Sequence, residues 1–173
     1  ASSFTARCAA SAGSNPYAVV NAGLSALQGY RHGGHTERVE ALFREAAADP
    51  RGSVIDRLKR GETIPGFGHQ LYPLGDPRAR FLLEQLESIQ PAAPALRTAQ
   101  AIIEAVDQAI HLKPNIDFVL VTLAQSYKLP SGSPLTLFAL GRIAGWIGHA
   151  IEQYSNGRLI RPRARYVGRA ILT

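Results

Sequence analysis

The sequence has no methionine, a single cysteine and few charged residues. One cysteine, Cys8, excludes an internal disulfide framework and gives no sign of an oxidising compartment. No run of about 18 apolar residues lacks a charge or a helix breaker, so the sequence predicts no transmembrane helix. Hydrophobic residues make up 46% of the chain, too many and too regularly spaced for intrinsic disorder. We therefore expect a globular, cytoplasmic protein with no membrane partner.

The chain has few charged residues, and most of its basic residues are arginines. Charged residues make up 18% of the chain, below the roughly 25% of soluble domains, which indicates apolar surface available for burial. The net charge is +6, yet only three of the 19 basic residues are Lys. Arginine suits bidentate recognition of carboxylates and phosphates, although codon preference alone would give the same bias.

Apolar residues recur at helical spacing along almost the whole chain, which predicts an all-α fold of ordinary domain size. Asp followed by Pro is the clearest start signal, because Asp caps a helix and Pro fits its first position. The predicted starts are Asp76-Pro77, Pro94, Ser133-Pro134, Thr36 as a cap, and Ser53. Only the segment 165–172 has any strand character. Because the chain opens at Ala1 within a helical pattern, we expect it to be a piece of a longer protein.

Three loops combine ionisable side chains with helix breakers: 31–35, 64–69 and 113–117. Their candidate groups are two histidines, His32 and His69, and one carboxylate, Asp117. At helix ends, such groups lie beside unpaired backbone N–H and C=O groups. The set is typical of an acid–base site, and it is equally typical of histidine and aspartate caps.

Five short strings, in order and at similar separations, resemble the citrate synthase family, in particular its bacterial type and the methylcitrate synthases. The strings are His32-Gly33-Gly34; Pro65-Gly66-Phe67-Gly68-His69 with Gly75-Asp76-Pro77-Arg78-Ala79; Pro114-Asn115-Ile116-Asp117; Gly141-Arg142-Ile143-Ala144-Gly145-Trp146-Ile147-Gly148-His149; and Ile160-Arg161-Pro162-Arg163 with Tyr166-Val167-Gly168. The resemblance implies the C-terminal portion of the family's helical fold. It implies the end of the large domain in 1–50, mostly the small domain in 51–130, and a return to the large domain in 131–173.

The resemblance also implies a reaction, the condensation of acetyl-CoA with oxaloacetate followed by hydrolysis of the thioester. Asp117 would remove a methyl proton from acetyl-CoA, and a neutral His32 would donate to the enolate oxygen. His69 would polarise the oxaloacetate carbonyl and protonate the new alkoxide. A helix end or burial would hold down the pKa of His32 so that it stays neutral.

The same resemblance implies the binding residues. Arg78, Arg142 and Arg161 match the arginines that hold the substrate carboxylates. The family supplies the equivalent of Arg161 from the second subunit, so a homodimer is implied. Pro65, Gly66 and Gly68 match the loop that receives the adenine of CoA, which is a substrate here and not a permanently bound cofactor; no metal is expected.

Two departures from the family pattern bear on function. After His69 the family often has Arg-Val-Tyr-Lys, but here the string is Gln70-Leu71-Tyr72-Pro73, which lacks two cations for the CoA phosphates. Arg31 places a cation next to His32, which would further disfavour protonation of the histidine. The substrate can therefore be another 2-oxo acid or another acyl-CoA.

Three alternatives remain beside the enzyme. A paralogue would bind a dicarboxylate or acyl-CoA without turnover, although a base at Asp117 has no obvious use in a binder. The arginines of 158–169 with Tyr166 suggest nucleic acid, but no recognisable nucleic-acid-binding motif accompanies them. A metal site of His32, His35 and Glu37 lacks further ligands to complete its coordination sphere.

Overall fold

Proline and capping side chains set most of the helix starts. The computed structural model describes residues 1–30, 32–165 and 167–168, and within them the chain is all-α, as predicted. The helices are α1 (Ser2–Ser11), α2 (Pro16–Leu27), α3 (His35–Glu45), α4 (Pro50–Lys59), α5 (Pro77–Ile89), α6 (Pro94–Ile110), α7 (Ile116–Ser126) and α8 (Ser133–Asn156).

The predicted starts of α5, α6 and α8 are confirmed, and two others are wrong. Thr36 lies inside the first turn of α3 and its hydroxyl donates to the carbonyl of Gly33, so it does not cap the helix. The fourth helix starts at Pro50 and not at Ser53, because the Asp49 side chain accepts the N–H of Gly52 and caps it. The possible strand at 165–172 lies mostly outside the described residues.

The helices pack around two main apolar cores. The larger one is built from α3 to α7, with Phe118 fully buried against Phe43 and Phe67 at ring distances of 5.2 and 4.8 Å. The second is built from α1, α2 and α8 around the fully buried Trp146. Contacts between α7 and α8 bring the two cores side by side. The domain boundaries expected at 50 and 130 stay predictions.

The C-terminal segment after α8 is tied back to α1. The buried Gln153 side chain donates to the carbonyl of Arg158 at 2.6 Å, and the N–H of Ile160 donates to the Ser11 hydroxyl at 3.0 Å. These bonds fix the point from which Arg161 leaves the helical body. Of the helices in the described ranges, none is long and apolar enough to cross a membrane.

Candidate active site

The loop that carries His69 is held against the start of α7 by Asn115. The Asn115 N–H donates to the carbonyl of Gly66 at 2.9 Å, and its side-chain amide donates to the carbonyl of Gly68 at 3.0 Å. The Asn115 side-chain oxygen caps α7 by accepting the N–H of Asp117 at 3.1 Å. One side chain therefore sets the positions of both the His69 loop and the helix that begins with Asp117.

Only glycine fits at position 66. Its φ is +84°, in the left-handed region that side chains disfavour. An added Cβ would lie 2.9 Å from Cβ of Phe118 and 3.0 Å from Cγ2 of Val39. The loop can pack on α7 this closely only because Gly66 has no side chain.

His69 has a defined donor nitrogen. Its Nδ1 accepts the N–H of Leu71 at 3.1 Å, so the proton of the neutral ring lies on Nε2. In the described part of the chain, nothing hydrogen-bonds to that Nε2. The ring stacks on Tyr72 at 4.8 Å, and the Tyr72 ring lies beneath the Arg78 guanidinium at 5.4 Å. His69 thus has one N–H available for a ligand, and its ring is connected to Arg78 through Tyr72.

Asp117 is a half-buried carboxylate in the first turn of α7. Burial raises the pKa of its carboxyl above the ordinary value of 3.8, and the negative charge of Asp76 acts in the same direction. The charges of His35, Arg78 and His69 lie close enough to lower that pKa in part. Within the described ranges no donor hydrogen-bonds to the Asp117 carboxylate. The result is an unpartnered carboxylate with enhanced basicity, as a proton-abstracting group requires.

Arg78 is held beside Asp117 by Asp76, the cap of α5. The guanidinium Nε and Nη2 of Arg78 donate to the two carboxylate oxygens of Asp76 at 2.9 and 2.7 Å. The pair is partly open, because the Arg78 side chain is 44% exposed while that of Asp76 has no exposed surface. Arg78 can therefore reach a ligand while remaining anchored.

His32 lies in the turn between α2 and α3, where the second core meets the first. Its Nε2 is 3.0 Å from the Ser2 hydroxyl of α1, and its ring meets the edge of Phe138 at 6.3 Å. Burial lowers the pKa of His32 below its ordinary value, and the charge of Arg142 acts in the same direction. The expected neutral state of His32 therefore has its cause in burial. Arg31, expected to contribute, lies outside the described residues.

Two of the three predicted carboxylate-binding arginines face one cavity. A cavity of about 310 Å³ lies between α5, α7 and α8, and both Arg78 and Arg142 line it. Its remaining wall is mostly apolar: Leu82, Ile116, Leu120, Leu137, Phe138 and Gly141. The guanidinium of Arg142 is hydrogen-bonded to the Ser3 hydroxyl. Arg161 is exposed and does not line this cavity.

The loop expected to face CoA borders a different cavity. Pro65 lines a cavity of about 410 Å³ together with His35 and Arg38 of α3. Gly66 is buried beneath it and Gly68 accepts the Asn115 bond described above. After His69, Gln70 and Pro73 occupy the positions of the family's cations, and both are exposed. The neighbouring Leu71 and Leu74 are 78% and 96% exposed, so this segment presents uncharged and apolar side chains to solvent.

Three residues at this site were missed by motif reasoning. Tyr72 connects His69 to Arg78, Ser2 contacts His32, and Asp76 anchors Arg78. Asp76 was identified only as a helix cap. The signal for its second role was the Arg two residues later, which can fold back on its own cap. No comparable signal marked Ser2, because it lies 30 residues from its partner.

Comparison with known proteins decides the family. The family model for the citrate synthase C-terminal domain matches residues 1–163. This chain belongs to the citrate synthase family. Citrate synthase from Haloferax volcanii is 37% identical over 174 residues, which cover 97% of this chain and 46% of that protein.

Solved citrate synthases share the fold. The crystal structure of the Thermotoga maritima citrate synthase matches with a TM-score of 0.81 and 34% identity, over 100% of this chain and 49% of that one. The Thermoplasma acidophilum citrate synthase, solved in a ternary complex with carboxymethyl coenzyme A and oxaloacetate, matches with a TM-score of 0.79 and 33% identity, over 100% of this chain and 49% of that one. The chain thus spans about half the length of the citrate synthases it matches.

Proposed function

We propose that this chain supplies the catalytic groups of a citrate synthase-type condensation, in which an acyl-CoA, acetyl-CoA in the first instance, is joined to oxaloacetate or a related 2-oxo acid. The observation that carries the proposal is the cavity that Arg78 and Arg142 line together, beside the start of α7 with Asp117. Two guanidinium groups on an otherwise apolar wall suit a small dicarboxylate, because each can bind a carboxylate through two parallel N–H bonds.

The proposed acid–base groups lie outside the cavity wall, next to residues of that wall or one contact away from them. Asp117 follows Ile116 in the cavity wall, His69 is stacked on the Tyr72–Arg78 pair, and His32 lies behind Phe138. In the proposed reaction Asp117 takes a proton from the carbon next to the thioester carbonyl. Its raised pKa strengthens it as a base for this weakly acidic C–H.

The two histidines would stabilise the oxygens on which negative charge develops. If the Ser2 hydroxyl donates to Nε2 of His32, the proton of the neutral ring is on Nδ1 and can be donated to the enolate oxygen. The enolate carbon then bonds to the ketone carbon of the 2-oxo acid. The ketone oxygen becomes an alkoxide and takes the Nε2 proton of His69. Water finally cleaves the thioester and releases CoA as the thiol.

The remaining parts of the site are proposed from the family. The loop at Pro65, Gly66 and Gly68 would receive the adenine of CoA along the cavity shared with His35. Arg161 of the partner subunit would complete the carboxylate site of a homodimer, which agrees with its exposed position here.

A second candidate is a paralogue that binds the 2-oxo acid without turnover. The observation in its favour is that Gln70 and Pro73, exposed and uncharged, lie where the family's cations would meet CoA phosphates. Binding of the oxo acid would then survive while the affinity for CoA is lost.

Two measurements test the proposal. First, oxaloacetate is titrated into the chain by calorimetry, and we expect binding that Arg142→Gln weakens at least tenfold.

Second, residues 1–163 replace the corresponding half of the Thermotoga maritima citrate synthase, and CoA release from acetyl-CoA plus oxaloacetate is followed. We expect release that Asp117→Asn abolishes, while Asp49→Asn, at an exposed helix cap, leaves it unchanged. Binding without release by a folded chimaera would favour the paralogue. No binding by either protein would overturn both candidates.

A further inference from the structure

Asp76 makes far more contacts than a helix cap needs. Its carboxylate has no exposed surface and accepts four N–H groups. One oxygen accepts the backbone N–H and the Nε of Arg78, at 3.0 and 2.9 Å. The other accepts Nη2 of Arg78 at 2.7 Å and the backbone N–H of Ile116 at 3.0 Å. A cap requires only the first of these bonds.

The contact with Arg78 uses one particular edge of the guanidinium. A guanidinium has a side edge, formed by Nε and one terminal nitrogen, and an end edge, formed by the two terminal nitrogens. Asp76 occupies the side edge. The end edge keeps N–H groups for a second carboxylate, and Arg78 lines the cavity with Arg142. Asp76 thereby restricts the directions in which Arg78 can bind.

The contact with Ile116 reaches across the site to α7. Ile116 is the first residue of α7 and directly precedes Asp117. The same carboxylate thus joins the start of α5, which carries the substrate-facing arginine, to the start of α7, which carries the base. Forty residues separate Asp76 from Ile116 in sequence.

The Asp76 carboxyl is ionised at neutral pH. Burial alone would raise the pKa of its carboxyl, but the hydrogen bonds from Arg78 and Ile116 outweigh burial and hold the pKa below its ordinary value. An ionised carboxylate can accept all four N–H groups, whereas an amide offers one accepting oxygen and places an NH₂ at the other.

We propose that Asp76 is a positioning residue that aims the free edge of Arg78 at a substrate carboxylate and sets the start of α7 relative to it. This inference rests on the proposed function, because it assigns Arg78 to an oxo-acid carboxylate. It adds a residue that touches no substrate and acts through Arg78 and Ile116.

The rival explanation is that Asp76 is only a cap, and two substitutions separate the roles. Asp76→Ser keeps a good capping oxygen but is too short to hold the guanidinium. Asp76→Asn is isosteric and also caps, yet it leaves two of the four N–H groups without an acceptor. Asp49→Asn is the matched control, since Asp49 caps α4 through Gly52 alone and is exposed.

The first readout is the Nε–H signal of Arg78 in the ¹⁵N-labelled chain, without ligand. We expect it to exchange slowly with water compared with that of the exposed Arg80, and to lose this protection in Asp76→Ser but not in Asp49→Asn. In Asp76→Asn the oxygen that caps α5 still accepts the Nε–H, so the protection should be kept there. An Arg78 Nε–H that exchanges as fast as that of Arg80 in the unsubstituted chain would overturn the inference.

The second readout is the oxaloacetate Kd, measured by calorimetry below the melting temperature of every variant. We expect a rise of about tenfold in both Asp76 variants and none in Asp49→Asn. Asp76→Asn combined with Arg78→Gln should bind no more weakly than Arg78→Gln alone, because Asp76 acts through Arg78.

The outcomes separate this inference from the function it rests on. If the unsubstituted chain binds oxaloacetate and both Asp76 variants bind it equally well, the positioning role is wrong and the proposed function stands. If the unsubstituted chain does not bind oxaloacetate, the proposed function fails and the inference fails with it. Additive effects of Asp76→Asn and Arg78→Gln would show that Asp76 does not act through Arg78.

Discussion

Replacing Asp117 by Asn is expected to stabilise the chain at neutral pH while removing the proposed base. A buried polar group without a hydrogen-bond partner costs about 1–3 kcal/mol. The Asp117 carboxylate is charged but only half-buried, and within the described residues no donor bonds to it, so we take a cost in this range. The nearby charges of Arg78 and His69 offset part of this cost. A first-turn acid also gains about 0.3–1 kcal/mol from the helix dipole. Because burial dominates, we expect a net gain of about 1 kcal/mol for the Asn variant, or about 2–4 °C in Tm.

The stability difference between Asp117→Asn and the unsubstituted chain should depend on pH. The pKa of Asp117 is raised in the folded state, so the folded chain binds the proton more tightly than the unfolded chain. Stability is therefore lost as the pH rises from the ordinary value of 3.8 through the raised value. The advantage of Asp117→Asn should be full at pH 7 and should vanish near pH 3, where the carboxyl is protonated in both states.

The assay is thermal or urea unfolding followed by the fluorescence of Trp146 and by circular dichroism, at pH 3, 5 and 7. Asp49→Asn serves as the control, because Asn and Asp cap helices about equally well and Asp49 is exposed. An Asp117→Asn variant that is less stable than the unsubstituted chain at pH 7 would refute the reasoning. An advantage of equal size at pH 3 would also refute it, since it would not arise from ionisation.

Two further predictions concern the loops of the site. Gly66→Ala should lower the free energy of unfolding by about 3 kcal/mol or more, because left-handed backbone strain of about 1–2 kcal/mol adds to the clash with Phe118. The control is Gly61→Ala, where φ is +72° and the space is open, so only the strain should contribute. Equal losses of the two variants in urea unfolding would contradict this. The pKa of His32 should lie below 6.5 because burial disfavours its cation, so its contribution to stability is present above that pH and is lost as the pH falls through the lowered pKa. Titration of the ring Cε1–H by NMR checks this, and a midpoint at or above 6.5 would count against it.

Helix starts were predictable where the signal is covalent or immediately local. Proline fixes its own φ and an aspartate oxygen reaches the N–H two or three residues ahead, so Asp76-Pro77 marked α5 correctly. Asp49-Pro50 carries the same signal, and the prediction placed that start at Ser53 instead. Thr36 failed as a cap because the turn at Gly33 and Gly34 lets α3 begin at His35, with Gly34 at the cap position, two residues earlier than predicted.

The family was predictable from the sequence, but the arrangement of the candidate site was not. Ordered strings around His32, His69 and Asp117 indicated the family, and the family model that matches residues 1–163 confirms it. The roles of these residues and of Arg161 stay predictions. The shared cavity of Arg78 and Arg142 was expected only through the resemblance, because these residues lie on helices from different cores.

By itself, the sequence determined the helical class and the starts of α5, α6 and α8, because these depend on spacing and on groups a few residues apart. Tertiary structure alone decided which groups meet. The Asp76 carboxylate receives the N–H of Ile116 from forty residues away, and Ser2 reaches His32 across thirty. Burial, which raises the pKa of Asp117 and lowers that of His32, likewise exists only when separate helices exclude water from the same place.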